Sequence, residues 1–345
     1  MIGLIMPAQH RRVSRFPWTF LRLAFTLPPG NQSRLPLDNL ATPVILPLFA
    51  IMAAGYLAAR LKLLPNTTSE VLSRFVFVIA LPALIFTSLS RISVTEFFNW
   101  QYIGALGGGM LAMFAIGMLV ARRLFAGGLT ASALHGMTAM YSSTAYIGLP
   151  LILTVFGDAA RVPGIIGAII TGLVFSPLVI VLAEIDRGRG GKAHFTAPLL
   201  AVMSRPPMIA VMLGLAVSAS GLAIPTPVST FFSILGGAFV PCSLFAAGSF
   251  IAGCSIRGAS GEIGWLVCAK LLLHPLITWW LAFYVFELDR LFATVAVLQA
   301  ALPSGVPVFV MAQHYRTFVS RSSAAIAIST ALSLVTIAML FALLV

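Results

Sequence analysis

The sequence predicts an all-α polytopic membrane protein: ten transmembrane helices in two inverted five-helix repeats, with helices 4 and 9 broken. Three observations carry this. Of 345 residues, 59% are hydrophobic and 9% charged, with a mean hydropathy of +1.02, far outside the soluble range. Two apolar runs long enough to cross a bilayer carry prolines and glycines near their middles. The proline and glycine positions of the first half also recur in the second.

At about 20 apolar residues per crossing, the spans fall at roughly 40–59, 71–90, 100–121, 132–154, 162–183, 207–224, 230–251, 263–285, 291–311 and 322–345. Residues 1–38 precede them. That tail has five arginines and prolines at Pro7, Pro17, Pro28, Pro29 and Pro36, without the continuous apolar core of a signal peptide. It reads as a disordered or interfacial appendage, or as an extension ahead of the true start, with Phe16, Trp18, Phe20 and Leu21 suited to a membrane surface.

Span 1 carries Pro47 and Gly55, and span 2 carries Pro82; span 6 carries Pro206 and Gly214, and span 7 carries Pro241. The offsets agree: 55 − 47 and 214 − 206 are both 8, and 82 − 47 and 241 − 206 are both 35. An ordered series of this kind points to an internal repeat. Five spans per unit is odd, so the second copy enters from the opposite face and the repeat is inverted. The expected units are 39–184 and 206–345, joined by a polar, glycine-rich linker over 185–205.

The breaks sit in span 4, AMYSSTAYIGLPLIL, at Gly148 and Pro150, and in span 9, LQAALPSGVPVFVMAQHY, at Pro303, Gly305 and Pro307. Proline removes an amide donor and clashes one turn back. At membrane depth the freed carbonyls need protein partners or a wet cavity. Interrupted helices at matching places in inverted repeats are the mark of a secondary transporter with a midplane site.

The net charge of +12 comes from basic residues scattered between apolar spans, which indicates topology and no nucleic-acid partner. With span 1 starting outside, the inner loops hold eleven (Arg60, Lys62, Arg122, Arg123, Arg187, Arg189, Lys192, Arg205, Arg257, Arg316, Arg321) and the outer loops three (Arg91, Arg161, Arg290). By the positive-inside rule, the linker is cytoplasmic and both termini face out, in a cell membrane.

Half-helix N-termini present amide donors and a favourable dipole to an anion. Ser142, Ser143, Thr144, Gln299 and Ser304 add neutral hydrogen-bonding groups around the breaks. Lys270 and His274 share one face of span 8; intramembrane charges default to functional roles, against the alternative that Lys270 snorkels to the surface. The acids all lie in loops or near span ends, so a relay of paired intramembrane acids is not expected. Cys242, Cys254 and Cys268 lack metal-ligand spacing, and no cofactor is implied. Gly104 and Gly108 form a GxxxG pair that leaves a homodimer open. An intramembrane enzyme is disfavoured: no HExxH occurs, and Ser143 has no base partner visible in the sequence. The expected activity is secondary transport of small organic anions, with a channel or a non-transporting sensor of the same fold as the alternative.

LPLFAIMAAGYLAAR, FVFVIALPALIF, YIGLPL, PPMIAVMLGL, KLLLHPL and the span 9 stretch, in this order and spacing, resemble the auxin efflux carrier family, which includes bacterial malonate and malate permease-like proteins. The resemblance runs from about residue 40 to the end. It implies two inverted five-span repeats whose spans 4 and 9 cross at their breaks around the substrate. Family members commonly carry an asparagine at the position of Ser143, so here hydroxyls replace an amide at the expected contact.

Overall fold

The structure is a computed structural model that describes residues 41–344 apart from 66, 93–96, 126, 189–199, 201–202 and 255–259. The expectations for the 1–38 tail and for most of the 185–205 linker lie outside the described residues. So do Glu96 and Arg257.

The described chain is helical: α1 (Ala41–Arg60), α2 (Thr68–Leu89), α3 (Trp100–Leu124), α4 (Leu129–Met140), α5 (Leu149–Phe156), α6 (Arg161–Ile170), α7 (Ser176–Asp186), α8 (Pro206–Ser220), α9 (Thr226–Gly237), α10 (Phe239–Ala252), α11 (Gly261–Val285), α12 (Arg290–Ala301), α13 (Val306–His314) and α14 (Val319–Leu344). Among the described residues, six runs are long and apolar enough to cross a membrane, with shorter apolar helices between them. One of the six, Thr144–Ile170, does not run straight. Gly157 has φ +63°, and a Cβ built on Gly164 would lie 2.8 Å from Leu149 Cδ1. Fifteen residues of straight helix would hold those positions about 22 Å apart. The run is therefore a hairpin, and α5 and α6 lie side by side.

A recurrent device carries helices past their prolines. Five-residue π-turns at Val76–Ala80, Thr144–Gly148, Thr171–Phe175 and Ala269–Leu273 each end two residues before a proline: Pro82, Pro150, Pro177 and Pro275. Proline offers no amide to the carbonyl four residues back and crowds it. One wider turn opens the ladder there, and the helix continues.

Close packing follows the glycines. A Cβ on Gly248 of α10 would lie 3.0 Å from Tyr56 N of α1, and one on Gly214 of α8 would lie 3.0 Å from Leu89 Cβ of α2. The GxxxG pair is used inside the bundle: Gly104 faces the Phe286 ring and Gly108 faces Leu281. Helix pairs in contact include α1 with α10 and α2 with α8, α3 with α4 and α11 with α12, α3 with α12 and α4 with α11.

At one end, Asp186 accepts from both the amide and the hydroxyl of Thr130 at the start of α4 (3.0 and 2.6 Å), and Arg187 lies over the Tyr315 ring at 4.6 Å. Glu262, near a span end as expected, is buried and pairs with Arg321 at 3.1 Å, with His135 at 3.9 Å.

Candidate functional site

The two breaks meet. Span 9 opens where the sequence dictates it: Leu302, ahead of Pro303, is extended (φ −61°, ψ 153°), as the residue before a proline prefers. Helix α13 then restarts with Pro307 in its first turn, where a missing amide costs nothing. In span 4 the interruption falls at Tyr141–Ser143, ahead of Gly148 and Pro150. Pro150 sits in continuous helix because the π-turn over Thr144–Gly148 accommodates it. Gly148 leaves room for the Leu302 side chain.

Span 4 is held open by span 9. Ser142 and Ser304 form an antiparallel bridge, in which the Ser143 amide donates to the Pro303 carbonyl (2.9 Å) and the Gly305 amide to the Tyr141 carbonyl (3.0 Å). The Ser304 hydroxyl donates to the Thr138 carbonyl at 2.8 Å and its amide to Ser329 Oγ at 3.2 Å. These bonds satisfy backbone groups that the breaks leave open at membrane depth.

Lys270 does not snorkel. It is fully buried, and its ammonium donates to Ser142 Oγ (2.9 Å) and the Ala300 carbonyl (2.5 Å), with His274 Nδ1 at 3.1 Å. A cation on the last carbonyls of α12 is the expected partner for a helix C-terminus. Gln299 points elsewhere: its amide nitrogen donates to the carbonyls of Gly164 (3.0 Å) and Pro163 (3.4 Å), and its oxygen accepts from Tyr102 (3.4 Å).

A cavity of about 290 Å³ lies against the break, at the small end of ligand sites. Ser142, Ser143, Thr144, Gly305 and Pro307 line it. Gly148, Pro150, Gln299, Pro303, Ser304, Lys270 and His274 lie outside its lining. Its apolar wall comes from α2 (Phe77, Leu81, Ile85) and α6 (Ile169). Among the lining residues that the sequence did not mark as site residues, two bear on an anion. Tyr141 supplies a ring beside the hydroxyls, and Arg205, exposed at the N-cap of α8, stands at the mouth. The only signal for Arg205 was its place directly before Pro206 and Pro207, the start of a span.

An apolar helical bundle with two broken helices paired around one small cavity is a membrane transporter of the multi-pass kind. Residues 41–341 match the family model described as "Membrane transport protein". The chain belongs to this family, that of the auxin efflux carriers. It is 30% identical over 305 residues to the "Putative malonate transporter" of Rhizobium meliloti (strain 1021), covering 86% of this chain and 93% of that one. An uncharacterized transporter of Methanothermobacter thermautotrophicus is 29% identical over 307 residues (86% and 96% covered), and the uncharacterized transporter YfdV of Escherichia coli K12 is 23% identical over 290 (83% and 91%).

Proposed function

We propose that the chain is a secondary carrier of small organic anions, mono- or dicarboxylates such as malonate, working by alternating access around the crossing of its two broken helices. The observation that carries the reading is the bridge at Ser142 and Ser304, with a cavity beside it. That cavity joins hydroxyls, the start of α13 and an arginine in an otherwise apolar wall. A carboxylate suits the hydroxyls and the helix start, and Arg205 would draw it in. The malonate name of a relative agrees.

The same proposal takes the fold as ten spans in two inverted repeats. Exchanging spans 1–5 with 6–10 turns the α1–α10 contact into α8–α2, α3–α4 into α11–α12, and α3–α12 into α11–α4; every one of these pairs packs. It also takes the linker as cytoplasmic and the termini as external in a cell membrane. In support, Asp186 and Arg187 at the linker's start contact Thr130 and Tyr315, both at ends that the charge bias assigns to the inside.

Purified protein in liposomes should show saturable malonate uptake with counterflow. Uptake that rises without saturation and shows no counterflow would point to a channel. A thermal-shift screen over mono- and dicarboxylates then ranks substrates, since a ligand stabilises the state that binds it.

A further inference from the structure

An ammonium has three donors, and Lys270 meets three acceptors, one on each broken helix and one on its own: Ser142 Oγ, the Ala300 carbonyl and His274 Nδ1. This geometry fits a charged lysine beside a neutral ring whose Nδ1 lone pair faces it. Both residues are fully buried, and His274 Nε2 has no hydrogen-bond partner among the described residues. A second proton on the ring would set two unit charges about 3 Å apart in a dry interior, which neither could sustain. The elements packed on this turn bring no counter-acid to it among the described residues. Their charged and titratable groups are Arg122, Arg123 and Tyr102 on α3, His135 on α4, Tyr141 beside Ser142, Arg290 on α12 and Arg321 on α14, with Glu262, Cys268 and Tyr284 on α11 itself.

We propose that Lys270 and His274 together form a single-proton site, and that this site supplies the coupling ion of the carrier. The inference rests on reading the chain as an organic-anion carrier. Ser142 is the link, because it lines the substrate cavity and also accepts from Lys270. To unload, Lys270 Nζ passes a proton to Ser142 Oγ while the hydroxyl releases its own proton to a water or substrate carboxylate in the cavity. The amine left behind keeps its two N–H bonds on the Ala300 carbonyl and His274 Nδ1, and its lone pair accepts from the re-protonated Ser142 hydroxyl. Loading is the reverse. One N–H bond is exchanged for one O–H bond, and the site changes between +1 and 0. A helix cap on Ala300 alone would require no histidine. A positive charge next to the cavity when the anion is present, and absent on the empty return, lowers the cost of moving that anion through a low-dielectric interior.

Liposomes carrying the parent protein, Lys270→Gln or His274→Gln, each checked for monodispersity, are assayed in two modes: malonate counterflow without a pH gradient, and malonate accumulation driven by acid outside. The ratio of accumulation to counterflow should fall about tenfold in Lys270→Gln, within the range of site-to-site couplings, and His274→Gln should displace the pH of half-maximal drive. Ratios equal to the parent's in both variants would overturn the site. Normal parent counterflow with no accumulation driven by acid outside would overturn the coupling while leaving the carrier reading intact. If the parent shows no malonate counterflow, the malonate reading fails, and ligand-free nitrogen NMR of lysine- and histidine-labelled protein decides the site. Signals assigned by their loss in each variant should titrate as one shared proton; two independent steps would refute it.

Discussion

Ser142 and Ser304 face each other as the two members of an antiparallel bridge, so each broken helix supplies the backbone partners that the other lacks. The relationship is not symmetric in origin. Leu302 and Pro303 open span 9 by local sterics, whereas Tyr141–Ser143 contain no proline or glycine and stay open because the Pro303 carbonyl and Gly305 amide claim their backbone.

Pro303→Ala should therefore matter more than Pro150→Ala. An amide at 303 can donate to the Gln299 carbonyl, extend α12 and draw Ser304 and Gly305 out of register with span 4. Malonate counterflow should drop on the order of tenfold to a hundredfold, the scale for displaced binding geometry, in protein that remains monodisperse. Pro150 already sits in continuous helix behind its π-turn, so its alanine variant should lose much less. Equal losses in the two variants would argue against a break written by Pro303.

Gly248→Ala tests the α1–α10 contact. The new Cβ would lie 2.8 Å from the Met52 carbonyl carbon and 3.0 Å from Tyr56 N, both backbone atoms that cannot yield without moving the helix. A loss of about 1–3 kcal/mol is expected from such overpacking, read as a lower melting temperature in detergent. Gly264→Ala, with nothing within 4 Å of its new Cβ, should stay within about 0.5 kcal/mol of the parent. Similar melting temperatures for the two would mean that α1 and α10 are not locked by this glycine.

Asp186 gives a pH signature. The Thr130 hydroxyl, and then its amide, hold the Asp186 carboxyl below the usual carboxylate range. A folded-state pKa that is depressed contributes stability above the unfolded pKa, about 3.9, and loses it as the pH falls through the folded value. Asp186→Asn should thus melt slightly below the parent at neutral pH, with the gap closing in acid. A gap that is constant from pH 7 to pH 3 would remove the carboxylate from the account.

Much of this was legible in the sequence because hydrocarbon imposes simple rules. Apolar runs marked the helices, and Pro303 with Pro307 marked the span 9 break. Lys270 and His274 could be placed on one face by their spacing. What escaped reading depends on partners distant in the chain. Pro150 looked like a break, yet a π-turn absorbs it, and the true opening lies seven to nine residues earlier under the hold of span 9. Gln299 looked like a substrate contact, but Gly164 and Tyr102 occupy its amide. Arg205 counted only as a loop charge until the fold brought the start of α8 beside Tyr141.

Arg205 is the charge that the sequence reading did not assign to the site, and it yields the sharpest test of the anion reading. It is exposed at the N-cap of α8 and lines the cavity mouth, so it acts through a solvated field. Such a residue contributes mainly to capture and on-rate. At low ionic strength Arg205→Gln should weaken malonate binding by about 1.4- to fivefold, corresponding to the roughly 0.2–1 kcal/mol of an exposed charge pair. The difference should vanish toward 1 M salt, where the screening length is about 3 Å. Malonamide, which keeps the shape without the charge, should bind both proteins alike, and Arg123→Gln at the exposed end of α3 should resemble the parent. An equal loss for malonate and malonamide would make Arg205 a packing residue. A malonate affinity unchanged at every salt concentration would remove Arg205 from the path of the anion.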